Sequence, residues 1–287
     1  MIQSPEVKNF KVMLGSVQIA SGAKDSGAAT LREVLTEATD ESTLNDAAYS
    51  LADAGLELPL AHSSCEKALK QLDELTAKTN LSVISDADLF HVIHLAATWD
   101  TMGWILFRQN DLVQAEEYAK ASWALDQQPA IGEHLGEIYE KQGKKAEAIH
   151  AFQLAVASGK QDPNAVEAAR ARLKVLGATE VSVNESISFS GELSQLRSVD
   201  VPVAGVSKGS ADYFILLSPG PKVEKVRYIT GDESLKGAGD LLREAKLNQP
   251  FPAGSSARIA RRGILFCSSV QKGCQFTLVP PEATKRN

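Results

Sequence analysis

Two histidines that stand close together, His91 and His94, are the first candidates for chemistry in this sequence. They are three residues apart, and Asp86 and Asp88 lie just before them. On a helix this spacing places both rings on one face, where two imidazoles can bind one metal ion. A stable site needs a third and usually a fourth ligand, and the sequence places none convincingly. We therefore interpret the pair as structural and expect no metal.

The cysteines Cys267 and Cys274 flank a six-residue segment that we predict to be the tip of the last hairpin. Four interpretations arise: a disulfide across the hairpin, two free thiols, a redox pair, or half of a metal site. The gap is too long for a Cys-x-x-Cys redox motif, and the sequence has no second cysteine pair for zinc. A disulfide and two free thiols both stay open, and a disulfide would indicate an oxidising compartment.

The sequence carries no motif of a known catalytic centre. It has no nucleophile elbow, phosphate-binding loop or dinucleotide fingerprint. No pair of carboxylates stands in a context that indicates acid–base chemistry, and residues 177–287 contain no histidine. Arg261 and Arg262 fit an anion contact, but a charged edge strand is the better interpretation, because edge strands are protected by charge. We predict a protein that is not an enzyme and uses no cofactor.

Composition indicates a soluble chain of two domains. The 287 residues are 44% hydrophobic and 23% charged, as in ordinary globular proteins. The net charge of −6 is unevenly spread. Residues 1–176 carry 16 Lys and Arg against 25 Asp and Glu, whereas residues 177–287 carry 14 against 11. An acidic first part repels phosphates, and the second part is only mildly basic, so we expect no nucleic-acid partner.

The N-terminal segment does not resemble an export signal or a membrane span. Residues 10–20 are the most apolar stretch there, and Lys11, Ser16 and Gln18 interrupt them. No stretch reaches the roughly 18 apolar residues that a spanning helix needs, and no small-residue cleavage site follows. If the chain belongs to a longer exported protein, we expect the periplasm or cell envelope; otherwise we expect the cytoplasm.

An internal repeat organises the first part of the chain. Its best copy contains Leu135, Gly136, Tyr139, Gly143, Ala148, Phe152 and Ala155. The small residues Gly136 and Ala148 allow two helices to approach closely, while the aromatic residues fill the space between neighbouring helix pairs. Gly143 suits the turn that ends the first helix. The spacing therefore predicts a helix–turn–helix unit.

The same pattern recurs 33 residues earlier. Gly103 corresponds to Gly136, Leu106 to Tyr139, and Asn110 to the turn glycine, with Ala115 at the position of Ala148. Asn is an acceptable turn residue because it tolerates a left-handed backbone. Two copies in one register predict a stack of antiparallel helix pairs.

Weaker copies extend the stack on both sides. Residues 44–69 match through Ala61, Cys65 and Ala68, which makes Cys65 a buried apolar residue of a repeat helix. Residues 5–38 predict one more pair. An insertion at residues 71–89 predicts an elongated helix, a loop near residue 80 and a long helix from residue 86. Residues 163–176 predict the terminal capping helix that such a stack requires.

From residue 177 the pattern predicts a different domain. Val183, Ile187 and Phe189 alternate as in a strand, and residues 213–218 and 223–229 predict two more. A helix with Asp232 as N-cap follows, and then come strands at 257–267 and 274–279. We therefore predict a helical repeat domain at residues 1–176, and a small α+β domain with an antiparallel sheet and one helix at residues 177–287.

The repeat residues resemble the tetratricopeptide family over residues 5–176, with the specific motifs in residues 97–162. The resemblance implies a superhelix of antiparallel helix pairs whose concave groove binds a protein or peptide. The second domain is similar to the C-terminal domain of TonB-type energy transducers, through its element order and the Phe251-Pro252 pair after the helix. The whole chain also resembles the tail of bacterial proteins that place a transglutaminase-like domain before such repeats.

These observations predict a scaffold that binds a partner segment in the concave groove. In this repeat class the first helix of each pair lines the groove, which assigns it Asp100, Trp104, Phe107, Arg108, Glu133, Glu137, Glu140 and Lys141. A solvated helix face is the competing interpretation of the glutamates. We expect Trp104 and Phe107 to be exposed, which favours a binding surface. Because the groove is mostly acidic around these aromatic residues, we expect a basic or amphipathic partner. The alternative function is an accessory or regulatory module of a bacterial cell-envelope enzyme or TonB-like transport system.

Overall fold

Helices form the first part of the protein, and an antiparallel sheet follows. The computed structural model describes residues 5–159, 162–178, 183–220, 222–269 and 273–281. The helices are α1 (Pro5–Ala20), α2 (Lys24–Glu37), α3 (Glu41–Asp53), α4 (Leu58–Thr76), α5 (Asp86–Arg108), α6 (Leu112–Leu125), α7 (Pro129–Lys141), α8 (Lys145–Ala157), α9 (Pro163–Val175), α10 (Val183–Gln195) and α11 (Gly239–Arg243). The strands are β1 (Ser198–Val201), β2 (Gly209–Leu217), β3 (Lys225–Gly231), β4 (Ile259–Ser268) and β5 (Gly273–Leu278).

The helices α1 to α8 pack as four successive pairs, and α9 closes the stack against α7 and α8. Small residues set the distance within a pair. A Cβ atom on Gly136 would lie 2.4 Å from a ring carbon of Phe152 on α8. Gly103 lies against the backbone of α6 in the same way, with its Cβ position 3.2 Å from the Ala115 carbonyl oxygen. The predicted helix–turn–helix units are therefore present, and their glycines are needed for close packing.

The turns of the two best repeats adopt the predicted conformation. Gly143 has φ 76° and Asn110 has φ 66°, both in the left-handed region that favours glycine and asparagine. The insertion is also as predicted: α4 is elongated, a loop and a short 3₁₀ turn follow, and α5 begins at Asp86. Ser85 caps α5 and exchanges hydrogen bonds with Asp88 in a capping box.

The strand predicted around Val183, Ile187 and Phe189 is wrong, because these residues lie in helix α10. The apolar positions continue to Leu193 and Leu196, and the spacing from Phe189 onward is four and then three residues. That is a helical spacing, and this side of α10 packs on the helical stack. Ile187, which supported the strand, is exposed. The alternation covered too few residues to distinguish the two periods.

The sheet has the strand order β1-β5-β4-β2-β3, and all its pairs are antiparallel. The last four strands were predicted, but β1 was not. The predicted helix is a 3₁₀ turn at Glu233–Ala238 followed by the short α11. Asp232 precedes that turn without capping it, because its carboxylate accepts a hydrogen bond from the Ser210 backbone N–H at 2.6 Å.

The interpretation of Arg261 and Arg262 as charges on an edge strand is also wrong. Strand β4, which carries both, lies in the middle of the sheet between β5 and β2. Arg261 is only 1% exposed and donates hydrogen bonds to the backbone carbonyls of Leu125 and Val279, each at 3.1 Å. Arg262 pairs with Asp212 on β2. The two arginines therefore bind their own chain.

The helices and the sheet share one apolar cluster. Leu95 and Trp99 on α5 and Leu125 on α6 are buried together with the inward face of the sheet. Polar contacts border this cluster: Arg258 donates to the carbonyl of Ala77 at 2.9 Å. This cluster contains residues from both sides of the predicted domain boundary between residues 176 and 177, so that boundary stays a prediction. Among the described helices, none combines the length and apolarity that crossing a bilayer requires.

Candidate functional site

A cavity of about 420 Å³ opens on the side of the stack formed by the first helix of each pair. Its lining comes from α1, α3, α5 and α7, together with residues just before α7 and α9. The lining residues are Val12, Asn45, Asp46, Tyr49, Ser50, Ile93, Ala96, Ala97, Asp100, Thr101, Asp126, Gln128, Ala130, Ile131 and Asp162. The volume lies in the range of sites that bind small molecules.

Helical periodicity explains why these residues meet. On α5 the lining positions are 93, 96, 97, 100 and 101, and on α3 they are 45, 46, 49 and 50. Residues three and four apart share a helix face, so each helix presents one stripe to the cavity. The alanines Ala96, Ala97 and Ala130 leave the space open where larger side chains would fill it.

The cavity has an acidic lining. Asp46, Asp100, Asp126 and Asp162 lie in its wall, and none of the lining residues is Lys or Arg. Desolvation by the surrounding protein raises the pKa of the Asp46 carboxyl, against the opposing effects of a hydrogen bond from Asn45 and of nearby His94. The ionised form of Asp46 is therefore less favourable here than in water.

A buried ion pair joins two of the lining helices. His134 on α7 contacts Asp100 on α5, with Nδ1 2.9 Å from Oδ2, and both side chains are buried. Burial alone would lower the pKa of His134, but the carboxylates of Asp100, Glu133 and Glu137 together outweigh it and raise the pKa to about 9. The imidazole is therefore charged at neutral pH and holds α5 against α7.

Aromatic rings cover the charged histidine. Trp104 stacks on His134 with 4.1 Å between ring centroids, and Phe107 also stacks on Trp104, at 4.8 Å. Tyr49 on α3 lies 6.0 Å from the His134 ring. A cation placed against an aromatic face is stabilised by the ring quadrupole, so this stack supports the protonated histidine.

Glu133 and Glu137 add negative charge next to this stack. Glu133 Oε2 lies 3.9 Å from His134 Nε2. Burial raises the pKa of Glu133 to about 7, and the neighbouring Glu137 acts in the same direction. A further cation close to Glu133 would favour the ionised form of its carboxyl.

The predicted groove residues do not all lie at the cavity. Asp100 forms part of its wall. Trp104 is only 5% exposed, so the expectation of an exposed aromatic residue is wrong for this position. His134 on the next repeat covers it, and the alignment of single repeats does not show contacts between helices of different pairs. Phe107 is half-buried, and Arg108 is exposed with its guanidinium 5.9 Å from the Trp104 ring.

The remaining predicted groove residues lie in the second half of α7. Glu140 pairs with Arg172 on α9, which raises the pKa of that guanidinium through the hydrogen bond. Glu137 is half-buried and Lys141 is exposed. Glu140 therefore stabilises the capping helix, whereas the other glutamates of α7 lie by the buried histidine.

Sequence reasoning missed the contribution of α3 to the site. Asn45, Asp46 and Tyr49 lie in the cavity wall, and none of them was among the predicted groove residues. The same rule that selected α5 and α7, that first helices line the groove, applies to α3. The weak repeat match there gave no register from which to choose the face.

The two histidines of α5 differ in their surroundings. His94 Nδ1 lies 3.0 Å from Glu41 Oε1, while Asp88 is engaged in the helix cap. Burial lowers the pKa of His91. No group of three or more potential ligands is assembled within residues 5–159, 162–178, 183–220, 222–269 and 273–281.

A disulfide joins Cys267 and Cys274 across the β4–β5 hairpin, where the two residues are register partners with Cα atoms 4.0 Å apart. Residues 270–272 of the hairpin tip lie outside the described residues.

Cys65 is a fully buried thiol, as predicted from the repeat, and burial raises its pKa far above the usual range.

Comparison with known proteins gives little beyond this geometry. No family model matches the sequence, and no curated protein matches it. A solved structure described as the functional characterization of pilF from Pseudomonas aeruginosa is similar at 16% identity. The similarity covers 67% of this chain and 92% of that chain, with a TM-score of 0.26. So low a score supports no argument about function.

Proposed function

We propose that the chain is a non-catalytic scaffold that binds a segment of a partner protein along the face formed by α1, α3, α5 and α7. The acidic cavity on that face supports the proposal, because a stack of helix pairs can present one long surface from the first helices of all its repeats. The cavity lies near the centre of this surface, with Asp100 in its wall.

The partner segment is basic or amphipathic. Asp46 and Asp100 in the cavity, with Glu133 and Glu137 beside it, attract Lys and Arg side chains. Apolar contacts come from Tyr49 and from the half-buried Phe107. We include in the proposed binding surface the whole predicted set: Asp100, Trp104, Phe107, Arg108, Glu133, Glu137, Glu140 and Lys141. Trp104 is buried and contributes indirectly, because it stacks on Phe107 and lies against the Arg108 guanidinium.

A filling substitution tests the location of the site. Ala97 is exposed and lines the cavity, so Ala97→Trp should occupy it without disturbing the core. Ala146 on α8 is also exposed and lies outside the cavity, which makes Ala146→Trp the matched control. Peptides selected from a random library on the intact chain should bind Ala97→Trp at least about tenfold more weakly. They should bind the control like the parent. Equal binding to both variants would place the site elsewhere.

Kinetics distinguish the two kinds of contact. Replacing Phe107 by Ala should mainly speed dissociation, because truncating a central aromatic residue typically costs about 2 kcal/mol. The double change Glu133→Gln and Glu137→Gln should instead slow association and reduce its dependence on salt. Surface plasmon resonance at two ionic strengths measures both effects.

The disulfide favours the alternative setting, an accessory module in an oxidising cell envelope. Disulfides persist in such compartments and are rare in a reducing cytosol. Protein isolated from its native compartment and denatured without reductant should then show one reactive thiol, that of Cys65. Three reactive thiols would remove this support. The binding proposal does not depend on the result.

A further inference from the structure

We infer that two copies of this chain associate through the exposed apolar side of α1, with the two α1 helices antiparallel across a two-fold axis. The inference is carried by a row of apolar side chains on the first helix of the stack, each between 40% and 59% exposed: Val7, Phe10, Met13, Leu14 and Val17. It does not depend on the proposed function, because α1 contributes to the cavity through Val12, which lies on another face of the helix.

The spacing of these residues places them on one side of the helix. Four of them follow one another at intervals of three, four and three residues, and Met13 lies beside them. The opposite side of α1 packs on the stack. Val12 and Gly15 are buried there, and a Cβ atom on Gly15 would lie 2.7 Å from Leu31 Cγ on α2. The exposed row is therefore not the side that joins α1 to its own repeat.

The two ends of the stack differ in the surface that they present. The last helix, α9, has a mainly polar outer side, on which Asn164, Glu167, Arg170 and Lys174 are exposed. A stack of repeats needs a polar outer face on its terminal units to stay soluble by itself. Helix α9 meets this requirement and α1 does not, so we expect the row on α1 to be covered.

A second copy of α1 fits the row because the row is symmetric. The intervals three, four and three read the same in both directions, so a two-fold axis between antiparallel helices places one row on the other. Phe10 then faces Leu14 of the second copy, and Val7 faces Val17 of the second copy. Alternating intervals of three and four residues are also those of helices that pack side by side at about 20°. Such a two-fold interface is the commonest in homo-oligomers.

The charges around the row favour a second copy over a charged partner. Between residues 7 and 20 the charged side chains are Lys8 and Lys11. Lys8 is buried, and Lys11 Nζ pairs with Glu33 Oε1 on α2 at 2.6 Å. This part of α1 therefore presents no exposed, unpaired charge that would select an acidic or a basic partner. Two copies can approach here without placing like charges against each other.

The area of the row predicts a weak association. The five side chains expose roughly 500 Å² in each copy, a size at which an apolar patch indicates an interaction surface. A standard interface buries more, about 800 Å² of each partner. We therefore expect a dissociation constant on the order of 10 µM, so that monomer and dimer coexist near this concentration.

Sedimentation velocity of the full chain from about 1 µM to about 300 µM tests the inference. The parent should change from monomer to dimer over this range. Phe10→Glu alters an exposed position, so it should fold like the parent, and it should weaken the dimer at least about tenfold because it places a charge in an apolar contact. Phe266→Glu makes the same exchange at an exposed position of β4 and should dimerise like the parent. Circular dichroism checks that both variants are folded.

A mixture of two variants tests the antiparallel arrangement. Leu14→Lys should also weaken the dimer when it is alone. Mixed with Phe10→Glu, it should associate at least about tenfold more tightly than either variant does by itself. The reason is that the introduced carboxylate of one copy then faces the introduced ammonium group of the other. Helices in parallel would place each new charge against an apolar residue and show no such recovery.

Each other outcome overturns the inference. A parent that stays monomeric at about 300 µM would leave the row to a different occupant, a lipid surface or another protein. A dimer that Phe10→Glu does not weaken, or that Phe266→Glu weakens equally, would form through another surface. A mixture without recovery would contradict the antiparallel pairing. Binding of peptides at the cavity is tested separately by Ala97→Trp, so a failure here leaves the proposed function in place.

Discussion

The helical stack and the sheet use their charged residues in opposite ways. In the stack, Asp46 and Glu133 lie on or near a face where few cations of the chain neutralise them, and desolvation by the surrounding protein raises the pKa of both carboxyls. In the sheet, Arg258 pairs with Glu224 and donates to carbonyls of the loop before α5. Arg261 donates to Leu125 of α6. Incompletely compensated carboxylates are therefore found on this face of the helices, alongside paired ones such as Asp100, whereas these two arginines bind their own chain.

This difference indicates separate roles for the two regions. Polar groups that are satisfied internally rigidify a structure, whereas groups left with spare capacity can bind. The sheet therefore supports the stack by packing on α5 and α6, while an adjoining stripe of α5 lines the cavity. The predictions below test this division from the largest expected effect to the smallest.

Removing residues 177–287 should have the largest effect. The fragment 1–176 should remain helical and melt cooperatively, because its repeats pack on one another. Its melting temperature should nevertheless fall well below that of the full chain, since Leu95, Trp99 and Leu125 lose the sheet that buries them. Circular dichroism of both proteins measures this. An unchanged melting temperature would mean that the sheet does not stabilise the helices. An unfolded fragment would mean that residues 177–287 complete the core of the repeats.

Replacing His134 tests the charged core of the stack. His134→Gln leaves Asp100 buried without its cation, and breaking such a pair typically costs about 4 kcal/mol. In the parent, the raised pKa of His134, about 9 against an ordinary 6.5, stabilises the fold fully below pH 6.5. That stability is lost as the pH rises through 9.

The pH dependence separates charge from packing. The free energy of unfolding of the parent should decline between pH 7 and 9.5, and that of His134→Gln should decline much less. His150→Gln, at a partly exposed histidine paired with Glu192, is the control and should keep the parent slope. Equal slopes in all three proteins would show that His134 is neutral in the fold.

Over-packing tests the contact between α7 and α8. Gly136→Leu forces a side chain into the Phe152 ring, and such changes typically destabilise by about 3 kcal/mol. Ala146→Leu on the exposed side of α8 adds a comparable side chain and should change stability by less than about 0.5 kcal/mol. Urea denaturation of both variants measures the difference. Similar values for the two would contradict the close approach of the helices.

Removing the buried arginine tests the supporting role of the sheet. Arg261→Met should destabilise by about 2 kcal/mol, because the carbonyls of Leu125 and Val279 lose a charged donor. Peptide binding to the cavity should be unchanged where the variant is folded. Arg243→Met, at an exposed pair with Asp240, is the control with little expected effect. A variant that stays stable but loses binding would contradict the division of roles.

The stack was largely predictable because its signals are local. Gly136, Gly143 and Asn110 each meet a requirement of one turn or one helix contact, and the structure confirms the conformations that were predicted for them. Such requirements repeat at a fixed period, so two copies reinforce each other. The α+β class of the second part was predictable for the same reason, from short runs of apolar residues between turns.

The errors concern contacts between distant segments. Trp104 was expected to be exposed because nothing in its own repeat shows that His134, 30 residues later, covers it. Arg261 was predicted to lie on an edge strand because the order of strands depends on pairing between distant segments, which the sequence of one strand does not indicate. The acidic cavity was only partly anticipated, since α3 contributes Asn45 and Asp46 from a repeat too degenerate to align.

The apolar cluster shared by α5 and the sheet also has a consequence for the order of folding. The helix pairs contact near neighbours in sequence, and local contacts form fast. The hydrogen bond from Arg258 to Ala77 spans 181 residues, and the one from Arg261 to Leu125 spans 136. During synthesis the side of α5 that carries Trp99 therefore lacks its contact with the sheet until β4 has been made. In that interval we expect a chaperone that binds apolar helix faces to bind this chain.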